Sequence, residues 1–225
     1  MGASPQARAI PRIAVIPTLD RPVLRQSVAA IRPQVDAVFI INNGPTGWSG
    51  LADGQSVFER LVTPADPVNL SKLWNLGLNE AIMFVGFFTK KWDVAILNDD
   101  AIVPEGWFDA VSTKMREMRA AAACSGGVTM PVLHTHPGPV PLETRLQGFA
   151  FMVAGELGLR ANEDLYWYFT DDWMDWESRK IGGMVMVPGF PVQHLYPNQQ
   201  VTQEMQAQIA RDAQTFVEIY GMRPW

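Results

Sequence analysis

The chain has 225 residues, 48% of them hydrophobic and 18% charged, with a formal net charge of −5 and a single cysteine. Such a size and charge fraction indicate one domain with a substantial core and exclude a disordered chain, while the lone cysteine excludes a disulfide framework. The acidic balance, without runs of Lys or Arg, excludes a nucleic-acid partner held by phosphate contacts. Since no apolar run approaches the roughly 18 residues of a membrane span, we expect a soluble, cytoplasmic protein without a membrane segment.

Short apolar runs alternate with amphipathic segments along the first half of the chain. The helix expected at residues 70–85 is the clearest, because its apolar residues follow a spacing of 3, 1, 3, 1 that matches one face of a helix. Strands are expected at residues 13–16, 37–41, 57–62 and 94–97, and further helices after residue 20 and at residues 105–119. This alternation predicts a mainly parallel α/β sheet.

The second half of the chain is less regular. Strands are expected at residues 149–153 and 184–187, and helices at residues 172–181 and 199–220. Residues 128–141 contain four prolines and two histidines, which predicts a long functional loop.

Polar residues follow the predicted strands at the places where ligands bind in open α/β sheets. Asn98, Asp99 and Asp100 come directly off a buried strand, and two adjacent carboxylates favour a compensating cation such as Mg²⁺ or Mn²⁺. The alternative is a plain strand-ending turn. His194 would complete a carboxylate–imidazole metal site if the chain folds back over the sheet edge, and is otherwise a structural histidine.

Residues 163–177 contain six acids interleaved with tyrosine, tryptophan and phenylalanine. Aromatic faces beside carboxylates are typical of a sugar subsite, in which one carboxylate can act as a general base. The alternative is a solvated helix start, where aspartate is also favoured.

Asn69, Ser71 and Lys72 stand at the start of the clearest helix. Exposed backbone N–H groups and a lysine make a candidate anion site, although simple helix capping explains the same residues. The chain has no GxxxxGK[ST], GxGxxG or GxSxG signature, which argues against a P-loop enzyme, a dinucleotide oxidoreductase and an α/β-hydrolase.

Taken in order, these segments resemble glycosyltransferase family 2 over roughly residues 12–221. The resemblance rests on residues 13–22, 39–44, 69–81, 96–100, 169–182 and 192–194. Residues 98–100 stand where the family has its DxD motif, with Asn98 in the first position. Asn42 and Asn43 stand where the family has an acidic residue that reads the nucleotide base.

The resemblance implies a single Rossmann-like domain of the A-type glycosyltransferase fold, with a mostly parallel central sheet flanked by helices. Residues 1–12 would form a flexible tail and residues 13–120 the nucleotide-sugar-binding half. Residues 121–225 would form an irregular acceptor-side and catalytic half of the same domain.

The resemblance also implies roles for individual residues. Asp100 and His194 would bind Mn²⁺ or Mg²⁺, and Asp172 would be the catalytic base, with Asp171 as the alternative. The acceptor would meet three tryptophans, Trp167, Trp173 and Trp176. The donor would meet residues from several segments, namely Pro17, Thr18, Arg21, Asn43, Asn69, Lys72, Asn75, Asn98 and Asp99.

The implied activity is metal-dependent, inverting transfer of a sugar from a nucleotide-diphospho-sugar, with a UDP-sugar expected, to a hydroxyl of a protein or glycan acceptor. The alternative is a catalytically silent module on the same fold that binds a carbohydrate or nucleotide-sugar. A nucleotidyltransferase also fits the sheet pattern but lacks the Gly-rich loop expected after the first strand.

Overall fold

The computed structural model describes residues 10–45, 47–63, 68–86, 89–196 and 202–225. Most of the segment expected as a tail, residues 1–9, lies outside this range, as do residues 199–201 of the helix expected at 199–220. The first strand begins at Arg12, whose backbone N–H donates to Asp36 Oδ2 at 2.8 Å. The chain is therefore ordered from at least the last residue of the expected tail.

Strands and helices alternate as the hydrophobic pattern predicts. The helices are α1 (Leu24–Ile31), α2 (Leu70–Val85), α3 (Trp107–Glu117), α4 (Thr170–Ile181) and α5 (Gln203–Tyr220). The strands are β1 (Arg12–Thr18), β2 (Ala37–Asn42), β3 (Val57–Leu61), β4 (Asp93–Leu97), β5 (Ala101–Ile102), β6 (Ala122–Gly126), β7 (Val132–His134), β8 (Ala150–Ala154), β9 (Met184–Pro188) and β10 (Gln193–His194). Among the described helices, none is both long and apolar enough to cross a bilayer.

Eight strands form one central sheet in the order β3-β2-β1-β4-β8-β6-β9-β7. β1 pairs in parallel with both β2 and β4, and β2 with β3, whereas β8 runs antiparallel between β4 and β6. The mainly parallel sheet is confirmed. The strand β7 is a correction, because it lies inside residues 128–141, which were expected to be loop throughout.

Apolar side chains on the two faces of the sheet pack against different helices. Ala14 and Ile16 of β1 belong to a core cluster with α1 and α3, whereas Ile13 and Val15 belong to a cluster with α2 and α4. A third, smaller cluster joins α4 to α5. The sheet is therefore covered on both faces, which leaves its edges for ligands.

A second sheet of two short strands closes over the end of β4. β10 pairs antiparallel with β5, so that His194 faces Ala101 in the register. The backbone N–H of Leu195 also donates to the carbonyl of Asp100 at 3.1 Å. This pairing brings residue 194 to the carboxyl end of β4, although the two are nearly a hundred positions apart in the sequence.

Candidate active site

A cavity of about 530 Å³ opens at the carboxyl edge of the parallel strands. Its floor is polar and comes from the ends of β1 and β4, with Pro17, Thr18, Asn98, Asp99 and Asp100. Arg21 and His194 flank this floor, and the remaining wall is mainly apolar or aromatic, with Leu19, Val68, Leu70, Leu73, Trp167, Tyr168, Tyr196 and Met205. The strand-end residues that the sequence singled out thus meet in one pocket.

Asp99 is fully engaged by protein donors. The Thr18 hydroxyl donates to Asp99 Oδ2 at 2.6 Å, and Arg21 Nε lies 3.0 and 3.1 Å from the two carboxylate oxygens. The hydrogen bond with Asp99 is the main reason that the pKa of Arg21 is raised. Because Arg21 keeps part of its side chain exposed, it can offer positive charge to a ligand in the cavity.

Asp100 has a different environment from its neighbour. Its side chain is 1% exposed; Arg21 Nη2 lies 3.3 Å from Oδ2, and His194 Nε2 lies 3.2 Å from Oδ1. Burial acts to raise the pKa of Asp100, but the nearby His194 and Arg21 hold it below its usual range. In the described part of the chain, Oδ1 is buried without a well-aligned hydrogen bond, so this oxygen is free to accept a ligand or coordinate a cation.

His194 is fixed in place beside this oxygen. Its ring stacks on Phe149 with centroids 4.7 Å apart and planes at 10°. The backbone N–H of Asn98 donates to the carbonyl of the same Phe149 at 2.9 Å, so Phe149 anchors both the triplet and the imidazole. The side chain of Asn98 lines the cavity.

A carboxylate oxygen and an imidazole nitrogen at this separation suit Mn²⁺ or Mg²⁺. No group of three or more His, Cys, Asp or Glu side chains placed to hold a metal occurs among the described residues. Asp100 and His194 offer two ligand atoms side by side, so a metal held here would take its other ligands from a bound molecule or water.

Side chains at the start of α2 hold the loop around residues 161–163. Asn69 accepts the N–H of Lys72 at 2.9 Å and donates to the carbonyl of Glu163 at 2.8 Å. Asn75 donates to the carbonyl of Ala161 at 3.0 Å and accepts its N–H at 2.9 Å. Both amides are buried in these contacts and neither lines the cavity, so the structure does not bring Asn69 and Asn75 to it.

Two other residues expected at the donor also lie outside the cavity lining. Lys72 is exposed on α2. Asn43 is buried, and its backbone N–H donates to the carbonyl of Thr18 at 2.9 Å. Asn43 therefore supports the end of β1 rather than facing the pocket.

Both candidate bases lie in the first turn of α4. Asp172 is 6% exposed, and Arg145 Nη1 lies 3.2 Å from its Oδ1. Burial, with repulsion from Asp171, raises the pKa of Asp172 to about 8 against the opposing charge of Arg145. Burial likewise raises the pKa of Asp171.

Asp171 packs against the segment that carries Phe149. A Cβ placed on Gly148 would lie 2.7 Å from both Cβ and Oδ2 of Asp171, so only glycine fits there. Phe149, the next residue, contacts His194 and Asn98. Asp171 is thus linked to His194 through Gly148 and Phe149. Neither Asp171 nor Asp172 is among the described residues that line the cavity.

The three predicted acceptor tryptophans have three different environments. Trp167 lines the cavity. Trp173 is half-buried, and its indole N–H donates to the carbonyl of Arg160 at 3.1 Å. Trp176 is 3% exposed and packs on Phe216 and Tyr220, so the structure places it in the core and not at the cavity where an acceptor contact was predicted.

Sequence reasoning missed several residues of the cavity wall. Tyr168 and Tyr196 could have been found, because the first follows Trp167 and the second lies two positions after His194. Met205 carries no such signal, since it enters the pocket from α5 only through the folding of the chain. Asp175 was counted among the clustered acids, but it forms a buried ion pair with Arg179 at 2.5 Å.

No protein-family description matches the chain, and no curated protein matches it in sequence. Its fold nevertheless matches solved structures. Residues 1–349 of S. aureus TarS align with a TM-score of 0.57 at 10% identity, covering 93% of this chain and 72% of that one. The same TarS segment in complex with UDP-GlcNAc gives 0.56 at 9% identity, covering 92% and 67%.

A second protein shares the fold. GalNAc-T7 with UDP, GalNAc and Mn²⁺ aligns with a TM-score of 0.61 at 12% identity, covering 91% of this chain and 48% of that one. This chain therefore spans about half the length of the GalNAc-T7 chain. At identities this low, the alignments are evidence for the fold alone. Together with the strand order and the cavity at the sheet edge, these alignments show that the chain has the A-type glycosyltransferase fold.

Proposed function

We propose that this protein is a metal-dependent, inverting glycosyltransferase that moves a sugar from a UDP-sugar to an acceptor hydroxyl. The observation that carries the proposal is the cavity floor, where Asp99, Asp100, Arg21 and His194 converge at the ligand-binding edge of the sheet. The neighbours bound to UDP-GlcNAc and to UDP with Mn²⁺ support a nucleotide-sugar as the ligand.

The floor and wall suit different parts of such a donor. Arg21 is positioned to meet the diphosphate, while Trp167 and Tyr168 offer flat aromatic surfaces, and Leu19 an apolar one, to the nucleoside and sugar rings. Asp100 and His194 would hold Mn²⁺ or Mg²⁺, which when bound neutralises charge on the departing diphosphate. We accordingly propose residues 13–120 as the donor half of the domain and residues 121–225 as the acceptor half.

Inversion requires a base on the face of the sugar opposite the diphosphate. We propose that Asp172 takes the proton of the attacking hydroxyl, with Asp171 as the alternative. Trp167, besides its contact with the donor, would also guide a protein or glycan acceptor. Asp172 must be ionised to act, and its pKa of about 8 keeps it mostly protonated near neutral pH. Arg145 favours the ionised form, because its charge lowers that pKa.

Binding and turnover test the proposal together. We expect UDP-sugars with Mn²⁺ to raise the melting temperature of the wild-type protein, and slow release of UDP to follow even without an acceptor. Asp100→Ala should abolish the Mn²⁺-dependent part of nucleotide binding, whereas Asp164→Ala, which alters an exposed acid in a loop, should not. If Mn²⁺ strengthens UDP binding by Asp100→Ala as much as it strengthens binding by the wild-type protein, Asp100 does not hold the metal.

The two candidate bases are separated by Asp171→Asn and Asp172→Asn. Loss of a general base costs roughly 10²–10⁴-fold in rate, whereas donor binding should change little. If Asp172→Asn keeps more than about a tenth of the transfer rate and Asp171→Asn does not, the base is Asp171. Stabilisation by UDP-sugars without any UDP release by the wild-type protein would instead favour a silent binding module.

A further inference from the structure

One buried carboxylate of α5 holds the loop that precedes α4. Asp212 is 0% exposed and accepts three successive backbone N–H groups, from Tyr166 at 3.1 Å, Trp167 at 3.0 Å and Tyr168 at 2.9 Å. Gln208 Nε2, one turn earlier on α5, also donates to Asp212 at 2.6 Å. A carboxylate accepts up to about four hydrogen bonds, so these four donors saturate it.

The same loop is held from its other side by α2. The N–H of Leu70 donates to the carbonyl of Tyr166 at 2.6 Å, and the Ser71 hydroxyl donates to the carbonyl of Leu165 at 2.5 Å. The backbone of residues 165–168 is therefore clamped between two helices that are far apart in the sequence. On the α5 side, the clamp depends on Asp212.

The clamped residues face the cavity. Trp167 and Tyr168 line it, and so does Met205, which lies two turns before Asp212 on α5. When three consecutive N–H groups point at one carboxylate, three successive peptide planes are fixed, and with them the directions in which the side chains leave the backbone. An ordinary loop of this length would leave those directions free.

We propose that Asp212 is a positioning residue that sets the aromatic wall formed by Trp167 and Tyr168. The relevance of this wall to a sugar nucleotide rests on the proposed function, but the positioning itself can be measured without activity. Asp212 does not line the cavity, so it acts through the backbone of the loop and not by touching a ligand.

The test is fluorine NMR of protein labelled with 5-fluorotryptophan. The chain has eight tryptophans, and Trp167→Phe assigns the resonance of Trp167 by its disappearance. In Asp212→Asn, an NH₂ group replaces one of the two acceptor oxygens. This donor faces the N–H groups of the loop and cannot accept their hydrogen bonds. We expect the Trp167 resonance to shift or broaden, while those of the core residues Trp74 and Trp107 stay in place.

Two further variants make the outcome decisive. Glu218→Gln removes an exposed carboxylate from the same helix and should leave the Trp167 resonance unchanged. Asp212→Glu keeps the charge but lengthens the side chain, so it should also displace Trp167. If Asp212→Asn does not fold, the resonance of Trp167 is measured in Asp212→Glu instead. An unmoved Trp167 resonance in a folded Asp212 variant overturns the proposal.

A binding measurement then separates this proposal from the proposed function. With UDP-sugar and Mn²⁺, we expect Asp212→Asn to raise KM roughly tenfold to a hundredfold while kcat changes less, because a wall that has moved by about 1 Å binds the donor poorly. If the wild-type protein binds no UDP-sugar, the proposed function fails, while the Trp167 resonance still decides whether Asp212 positions the wall. If Trp167 moves and KM does not, Asp212 does not position a donor-binding wall.

Discussion

Adjacent acids at the end of β4 show how local partners give neighbouring residues different chemistry. Asp99 is satisfied by Thr18 and Arg21, whereas Asp100 keeps a buried oxygen beside His194. Arg21 contacts both carboxylates, which offsets their mutual repulsion. The first acid therefore organises the floor of the cavity, and the second keeps the oxygen that the proposed cation would contact.

The ionisation of Asp172 predicts a pH dependence of activity. Since Asp172 must lose its proton to act as base and its pKa is about 8, kcat/KM for UDP release with an acceptor should rise with pH up to about 8. Arg145 lowers this pKa, so Arg145→Met should move the rising limb to higher pH. A limb that stays in place in Arg145→Met would contradict the assignment.

The raised pKa of Asp172 also makes the stability of the fold depend on pH. The folded pKa of Asp172, about 8, lies above the value of about 3.9 for an unfolded aspartate, so the folded state binds more protons between these values. This group therefore stabilises the fold at low pH, and its contribution is lost as the pH rises towards 8. In urea unfolding, Asp172→Asn should lose less stability than wild type between about pH 5 and pH 8.

Substitution by alanine should affect stability at Trp176 and ligand binding at Trp167. Trp176 is buried against Phe216 and Tyr220, so Trp176→Ala should cost about 3–5 kcal/mol of unfolding free energy. Trp167→Ala, at the cavity wall, should cost much less stability but weaken UDP-sugar binding. Urea unfolding and nucleotide titration of both variants check this, and a stable Trp176→Ala with weakened sugar binding would restore the sequence-based role of Trp176.

At the scale of elements, the contact between α2 and β1 depends on the absence of one side chain. A Cβ on Gly77 would lie 2.1 Å from Val15 Cγ1, a distance that real atoms do not tolerate. Gly77→Ala should therefore destabilise the protein by about 1–3 kcal/mol, despite the better helix propensity of alanine.

A double-mutant cycle isolates that contact. Val15→Ala alone removes buried methyl groups and should also destabilise, but in Val15→Ala/Gly77→Ala the added methyl fills the space that Val15 vacates. The double variant should thus be more stable than the sum of the two single effects predicts, by about 0.5–3 kcal/mol in urea unfolding. Strict additivity would show that α2 shifts instead of clashing.

Elements with strong periodicity could be predicted from the sequence, and weakly patterned ones could not. The bounds of α2 agree with its apolar spacing, and the strands before Asn42 and Asn98 are correct because β-branched runs end in turn residues. Residues 122–126, AACSG, formed a strand that the pattern did not indicate, since small residues carry little β signal. β7 was missed because a few pairs with β9 override a proline-rich context.

The candidate site divides in the same way. Asp99, Asp100 and Thr18 were predictable, because strand-end residues of a parallel sheet share one edge. The burial of Trp176 could not be predicted, since its partners Phe216 and Tyr220 come from another helix. Asn69 and Asn75 likewise contact a loop some ninety residues away, which no local pattern specifies.

At the scale of the whole molecule, the cavity joins segments that are otherwise distant. Its floor comes from β1 and β4, one side from β10 and the start of α2, and the far wall from residues 167–168 and α5. A ligand that touches all of these connects the central sheet to the smaller core cluster between α4 and α5. Binding should therefore reduce local opening in both parts of the protein.

Hydrogen exchange measured by mass spectrometry tests this coupling. With UDP-sugar and Mn²⁺, we expect slower exchange in residues 166–168 and in the first half of α5, where Met205 meets the cavity. The internal controls are the edge strand β7 and the opposite end of β4, where Asp93 is paired with Arg116, and both should be unchanged. Protection at the ends of β1 and β4 without any in α5 would mean that the ligand occupies only the floor. In that case the wall carrying Trp167, Tyr168 and Met205 would belong to the acceptor, because it would remain free when the donor is bound.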